Sequence, residues 1–108
     1  MTTAGGDWTM VAYVIFTREK TRNPAQLEVY KEKVPAAFAG HAVTFRARHC
    51  RFEVPEGPAA EDVLMLEFPS FEAAKEWYAG PAYQDASSHR FQGADYRCII
   101  VEGLEQPA

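Results

Sequence analysis

The chain has 108 residues, the size of a single domain, and 47% of them are hydrophobic and 13% aromatic. Its 11 Lys and Arg against 15 Asp and Glu give a formal net charge of -4, with no long run of like charge, which argues against a nucleic-acid partner. The apolar stretch from Met10 to Phe16 is too short to span a bilayer and follows no basic segment like that of a secretory signal. We therefore expect a cytoplasmic protein with no membrane partner.

Four apolar runs rich in branched and aromatic residues predict β-strands. The runs extend from Met10 to Thr17, from Val43 to Val54, from Val63 to Phe68 and from Tyr96 to Glu102. Residues 1–9 are mostly small and polar and predict a flexible N-terminal arm, while residues 104–108 form a C-terminal tail. Residues 10–103 are then the folded domain.

The first helix has clear start signals. Asn23 can cap it, Pro24 suits its first position, and Gln26 stands three residues after the cap, as in a capping box. Pro35 should bend or partly break this helix, and Gly40 should end it.

A second helix should begin after Ser70 and stop at Gly80 and Pro81, and a third helical piece should run from Pro81 to about Arg90. The loop from Pro55 to Ala60 joins the second and third strands as a hairpin connection. The order is βαββαβ with an additional helical segment. It predicts an α+β, ferredoxin-like fold with a four-stranded antiparallel sheet and its helices on one face.

Both faces of this sheet are predicted to be apolar. In the first strand Val11, Tyr13 and Ile15 alternate with Ala12, Val14 and Phe16, and the third and fourth strands repeat the pattern. A sheet with one solvated face should show polar residues at alternate positions. Since the helices cover one face, we expect a second copy of the chain to cover the other, in a homodimer.

The two cysteines, Cys50 and Cys98, lie too far apart in sequence for a thioredoxin-type pair or a zinc spacing. We expect both to be reduced, buried thiols.

The chain resembles the uncharacterised domain-of-unknown-function family 1330 of the dimeric α/β-barrel superfamily. The resemblance extends from about Met10 to Gly103 and rests on the strings AYVIF, EVPEGPA, LEFPSFEAAKEWYAGPAYQ, HRF and VEG. It implies two ferredoxin-like subunits whose sheets face each other. It implies no function, because the wider superfamily includes cofactor-free monooxygenases, haem-handling enzymes, lactone isomerases and plain ligand-binding domains.

The third helical piece carries the first candidate site. Tyr83, Ser87 and Arg90 share one helical face, where a phenol, a hydroxyl and a guanidinium could bind a carboxylate or an enolate oxygen. The family resemblance extends to Tyr83 and Arg90. The alternative is that Tyr83 is packed in the core while Arg90 pairs with a carboxylate such as Asp85 or Glu72.

The histidines offer candidate proton carriers but no metal site. His89 follows Asp85 by one helical turn, so that the carboxylate could orient the imidazole as a general base, or form a plain surface ion pair with it. His41 after Gly40 could be a base or a turn residue. His49 and Glu53, four apart on a strand, are too far apart to share a metal.

Positive charge gathers on the second strand at Arg46, Arg48 and Arg51, with Arg46 and Arg48 on one face. These residues either protect a sheet edge from pairing or attract an anionic ligand. Tyr13, Trp77 and Tyr78 are either core residues or the lining of a substrate pocket between sheet and helices.

Two functions remain open. The first is an enzyme without a bound cofactor, acting on a small carbonyl, carboxylate or aromatic molecule in each subunit. Arg90 would then hold the anionic end, Tyr83 would donate a hydrogen bond, and His89 or His41 would move a proton. The second is a non-catalytic, small-molecule-binding or accessory homodimer. An enzyme of this design should bring at least two of those four residues to one cavity.

Overall fold

The structure, a computed structural model, describes residues 8–104 and 106–107, and the side chains of residues 10–104. The strands of the main sheet are β1 (Ala12–Thr21), β2 (Thr44–Arg48), β3 (Asp62–Phe68) and β4 (Ala94–Glu102). The helices are α1 (Pro24–Ala37), α2 (Phe71–Ala79) and α3 (Pro81–Gly93). The sheet is antiparallel throughout, in the order β2-β3-β1-β4. The predicted ferredoxin-like fold is thus confirmed, with α3 as the additional helix before the last strand.

The predicted arm and tail lie partly outside the described residues, which omit residues 1–7, 105 and 108. Trp8–Thr9 pairs antiparallel with Gln106–Pro107, so the two ends of the described chain meet. The Gly103 N–H also donates to the Val11 carbonyl at 2.8 Å. None of the three described helices has the length and apolar character that crossing a bilayer requires.

The start of α1 matches the sequence signals, but its end does not. The Asn23 side chain accepts a hydrogen bond from the Gln26 backbone N–H, as an N-cap does. Pro35 lies inside the helix, which continues without a break to Ala37. The alternative of a partial break at Pro35 is therefore wrong, while the predicted bend stays a prediction. Since the helix ends only two residues later, the ring disturbs no more than its last turn.

The second strand is much shorter than predicted. It ends at Arg48, and the residues from His49 to Glu61 form a long connection. A register shift between Phe45 and Ala47 gives β2 one extra residue relative to β3. Arg46 consequently pairs with Glu67 on the helix-free face, while Arg48 lies opposite Leu64 on the helix side. The prediction that the two arginines share a face is wrong for this reason.

Cys50 lies in this connection and is exposed, whereas Cys98 is half-buried in β4. Burial was predicted for both thiols. It fails for Cys50 because the strand that would have carried this residue into the sheet stops before it.

The side chains of β1 alternate between the two faces of the sheet, as predicted. Ala12, Val14 and Phe16 of β1 point toward the helices and are completely or almost completely buried. Their neighbours Tyr13 and Ile15 on the other face are half-buried. On β4 the helix-free face carries Ile99 and Val101, which are 43% and 41% exposed. Apolar surface thus remains uncovered on the side without helices.

The start of α1 is held against the end of α3 at Gly93. The Gly93 carbonyl accepts hydrogen bonds from the backbone N–H groups of Arg22 and Asn23, each at 2.8 Å. A Cβ atom at position 93 would lie 2.8 Å from Leu27 Cδ2 and 3.0 Å from the Leu27 backbone nitrogen. Only glycine therefore allows the two helices to approach this closely.

We expect Gly93→Ala to lower the free energy of unfolding by about 1–3 kcal/mol, because the methyl group overpacks the contact with Leu27. Urea unfolding of Gly93→Ala, Leu27→Ala and the double variant provides a double-mutant cycle. The penalty of the added methyl group should shrink when Leu27 is truncated. Equal penalties in both backgrounds would contradict the proposed clash.

Candidate functional site

A cavity of ≈ 470 Å³ lies between α1 and the sheet. This volume is within the range of small-molecule sites in proteins, about 300–1,000 Å³. The sheet contributes residues such as Phe16 and Leu64, α1 contributes Leu27 and Val34, and α2 contributes Trp77. The cavity is therefore lined by elements of both layers.

Aromatic rings form much of the cavity wall, and they hold one another in place. Trp77 is stacked on Phe38, with ring centroids 5.5 Å apart and an angle of 5° between the rings. Phe38 in turn contacts Phe45 edge-on at 5.4 Å. Such a surface suits a flat, apolar ligand. The aromatic residues that line the cavity are Phe16, Tyr30, Phe38, Phe45, Trp77 and Tyr96.

The charged residues that line the cavity are mostly positive, although the chain as a whole is acidic. Among the described residues the lining contains three cations, Arg18, Lys31 and Arg48, and one carboxylate, Asp62. Arg18 is held by Glu61, with 3.1 Å between its Nε and the carboxylate oxygen. The Arg48 guanidinium lies 4.5 Å from the centroid of the Phe45 ring. Lys31 Nζ lies 3.5 Å from Glu28 Oε2, so among the described residues Arg48 is the cation of the lining without a carboxylate partner, and its charge favours a ligand that carries negative charge.

His49 and Asp62 are the ionisable pair in this lining. His49 Nδ1 lies 3.6 Å from Asp62 Oδ2. This distance allows ion pairing of a protonated ring but is too long for a hydrogen bond. The His49 side chain is 72% exposed, and its backbone has a positive φ of 51°. His is among the non-glycine residues that tolerate this conformation.

The sequence pattern did not indicate this pair. The predicted second strand extended past His49, so the carboxylate considered as its partner was Glu53 on the same strand. The signal lies instead in the hairpin register. With Arg48 opposite Leu64, the residue after β2 comes close to the first residue of β3, which is Asp62.

Tyr83 and Arg90 lie in the core behind the cavity wall and are 1% and 2% exposed. Neither lines the cavity. The Tyr83 hydroxyl lies 3.0 Å from the hydroxyl of Tyr30, which does line it. The Arg90 guanidinium lies over the rings of Phe16 and Tyr96, at 5.3 and 4.9 Å. Its Nε makes no hydrogen bond with any described residue, so the expected carboxylate partner is not supplied at this atom.

The other residues predicted on aromatic or helical patterns are dispersed. Ser87 is buried and donates to the Gln84 carbonyl of its own helix at 3.1 Å. Tyr78 is half-buried, with its ring 5.3 Å from that of Tyr83. Tyr13 lies opposite Glu67 and points to the helix-free face. Of these candidates only Trp77 lines the cavity, and Arg48, the possible anion-binding residue of the second strand, lines it as well.

Neither predicted proton carrier reaches the cavity. His41 is exposed after the turn that ends α1. His89 Nδ1 contacts Gln26 Oε1 at 2.7 Å, while Asp85 is paired with Lys33 at 2.8 Å. None of Tyr83, Arg90, His89 and His41 lines the cavity, so the criterion for an enzyme built on those four residues is not met. Among the residues with described side chains, no three His, Cys, Asp or Glu gather as metal ligands.

Burial shapes the ionisation of the phenols around the cavity. Loss of hydration raises the pKa of Tyr30 to about 12, although the hydrogen bond with Tyr83 and the charge of Arg90 act in the opposite direction. Burial also raises the pKa values of Tyr83 and Tyr96, and that of the Cys98 thiol. At neutral pH these tyrosines are therefore neutral hydrogen-bonding groups and not bases.

Since the pKa of Tyr30 is higher in the folded protein than the ordinary value of 10.0, the neutral phenol favours folding below about pH 10. Above that pH the unfolded chain loses this proton first, so stability should fall until about pH 12. We expect Tyr30→Phe to lose stability less steeply in this window, as measured by denaturant unfolding. Exposed Lys20→Met is a control, and equal slopes for Tyr30→Phe and wild type would contradict the assignment.

Several solved structures share this fold at low sequence identity. A protein of unknown function from Rhodopseudomonas palustris is 21% identical, with a TM-score of 0.63 over 92% of this chain and 85% of that one. A dimeric ferredoxin-like protein of unknown function from Thermobifida fusca is 12% identical, with a TM-score of 0.61 over 89% and 92% of the two chains.

SnoaB, a cofactor-independent oxygenase from Streptomyces nogalater, is 16% identical, with a TM-score of 0.55 over 85% of this chain and 90% of that one. At this identity the likeness concerns the fold alone. No curated protein matches the sequence significantly. The family model of the domain of unknown function DUF1330 matches residues 11–104, which is nearly the whole described chain, and the chain therefore belongs to the DUF1330 family.

Proposed function

We propose that this protein binds a small, flat organic anion, or a carbonyl compound that becomes anionic, in the cavity between α1 and the sheet. The observation that carries the proposal is the lining itself, where aromatic rings coexist with an excess of positive charge. Apolar walls supply affinity by losing water, while a few charged groups orient the ligand. Arg48 is the candidate for direct contact with the anion, since its guanidinium lies beside a cavity ring.

Arg90 does not line the cavity, but its charge would also stabilise a negatively charged ligand there. Its guanidinium is buried and lies over Phe16 and Tyr96, both of which line the cavity. A buried cation whose Nε has no partner among the described residues creates a positive potential that water screens only weakly. An anion in the cavity would be stabilised by that potential without touching Arg90.

The second candidate function is a cofactor-independent enzyme that acts on the same ligand. The observation that favours it is the presence of two proton-transfer side chains, His49 and Asp62, in the lining. Chemical conversion of a bound molecule would separate this candidate from plain binding.

Binding can be tested through Trp77, which lines the cavity and is one of two tryptophans in the chain. In a Trp8→Phe background, 4-nitrophenol should quench Trp77 fluorescence with saturation. Val34→Phe fills space in the cavity and should weaken this binding by about tenfold, equivalent to about 1.4 kcal/mol. Nitrobenzene, which has no ionisable group, should bind less tightly than the phenol.

The matched control is Val29→Phe, the same change on α1 at a position that does not line the cavity. It should bind 4-nitrophenol like the parent protein. Equal affinity of both variants would place the bound probe elsewhere and contradict the proposal.

We also propose that two copies pair through their helix-free faces. Ile15, Met65, Ile99 and Val101 form an apolar patch on this face, which none of the described helices covers. A second sheet would bury this surface, and two-fold pairing presents the same patch from both subunits. The fold relative from Thermobifida fusca is itself described as dimeric.

Sedimentation at micromolar concentration should show a dimer for the wild type and a monomer for Ile99→Asp, because the carboxylate would be buried without a partner. Phe91→Asp is the control, since Phe91 is 55% exposed on α3 and lies on the helix side of the sheet. A monomeric wild type, or dissociation of the control alone, would refute pairing through this face.

A further inference from the structure

We propose that His49 is a general base that removes a proton from the molecule bound in the cavity, and that the charge of the nearby Asp62 carboxylate favours this transfer. The substrate class that follows is a phenol or a carbonyl compound with an acidic C–H beside the carbonyl group. This inference rests on the binding function proposed above and extends it from binding to chemistry.

The geometry assigns different tasks to the two ring nitrogens. His49 Nδ1 is the nitrogen that faces Asp62, at 3.6 Å from the carboxylate oxygen. Nε2 is then the nitrogen that can accept a proton from the ligand. Because Asp62 is only 23% exposed, its charge is partly shielded from water and stabilises the imidazolium that forms.

The position of His49 makes its ring accessible to a ligand. The residue follows the last residue of β2, and its side chain is 72% exposed while still contributing to the cavity lining. Its positive φ of 51° turns the chain sharply at this point. A base needs such access, because it must come within hydrogen-bond distance of the proton that it takes.

The product of the transfer is an anion, and the lining can stabilise it. Arg48 lies next to His49 in sequence and also lines the cavity. Its side chain points to the helix side because of the register shift in β2. A guanidinium near the place where negative charge develops lowers the cost of proton removal. Arg18 is less free for this task, since Glu61 holds its Nε.

The step balances without any further reactant. The O–H bond of a phenol, or the C–H bond beside a carbonyl group, breaks, and a new N–H bond forms at His49 Nε2. The electron pair of the broken bond stays on the ligand as a phenolate or an enolate. Return of the proton to another atom of the enolate completes a tautomerisation, with no oxidation or reduction.

The test uses 4-nitrophenol, whose ionised form absorbs visible light, at a pH slightly below the phenol's own pKa. Protein with Trp77 as its single tryptophan reports binding by quenching, and absorbance reports ionisation of the bound probe. We expect the bound probe to be enriched in phenolate. In His49→Gln the ratio of bound phenolate to bound phenol should fall by about tenfold, while quenching by the probe persists.

Asp62→Asn separates an electrostatic role of this carboxylate from a structural one. It should lower the bound phenolate ratio less than His49→Gln does, and its thermal unfolding should stay like that of the wild type. Glu53→Gln, the same kind of change in the exposed connection after β2, is the control and should behave like the parent.

The outcomes separate the two proposals. Binding with an unchanged phenolate ratio in His49→Gln would overturn the role of His49 and leave the binding function intact. An effect of Asp62→Asn as small as that of Glu53→Gln would overturn the role of Asp62. No saturable quenching at all would overturn the binding function for this ligand class, and the proton transfer with it.

Discussion

The close contact between α1 and α3 is the constraint on which the rest of this structure depends. A glycine at position 93 lets Leu27 approach the end of α3, and its carbonyl binds the two backbone N–H groups before α1. Anchored there, α1 forms one wall of the cavity, and the sheet provides the opposite wall. A bulkier residue at this point would move α1, and the cavity between the two layers would change with it.

The second organising feature is that positively charged side chains lie both in the core and at the surface. Arg90 is buried among aromatic rings behind the cavity wall, whereas Lys31 and Arg48 of the cavity lining are exposed. Burying a guanidinium whose Nε has no hydrogen-bond partner among the described residues costs stability, and natural sequences tolerate such costs mainly where a function needs them. The aromatic contacts offset part of that cost.

Much of the fold could be predicted because local signals agree with one another. The Asn23 and Ser70 caps, the alternation in β1 and the glycine-proline break before α3 each match the structure. The end of β2 could not be predicted, since apolar residues such as Phe52 and Val54 continue the strand pattern beyond the point where pairing with β3 stops. Prediction of the site depended on that boundary, because His49 lies near Asp62 only when β2 ends at Arg48. Helical spacing identified Tyr83 and Arg90 as neighbours, but it could not show that both face the core.

The hydroxyl pair of Tyr30 and Tyr83 can determine in which direction hydrogen bonds are donated at the cavity wall. Each phenol has one proton, and the two oxygens lie 3.0 Å apart, so only one of the two protons can occupy the space between them. When Tyr83 supplies it, the proton of Tyr30 is left for whatever enters the cavity, and polarisation along the chain of hydroxyls makes it a better donor. A Tyr30 hydroxyl that donates into the cavity would favour ligands that present a hydrogen-bond acceptor to it. It would disfavour ligands of equal size that present a donor at the same place.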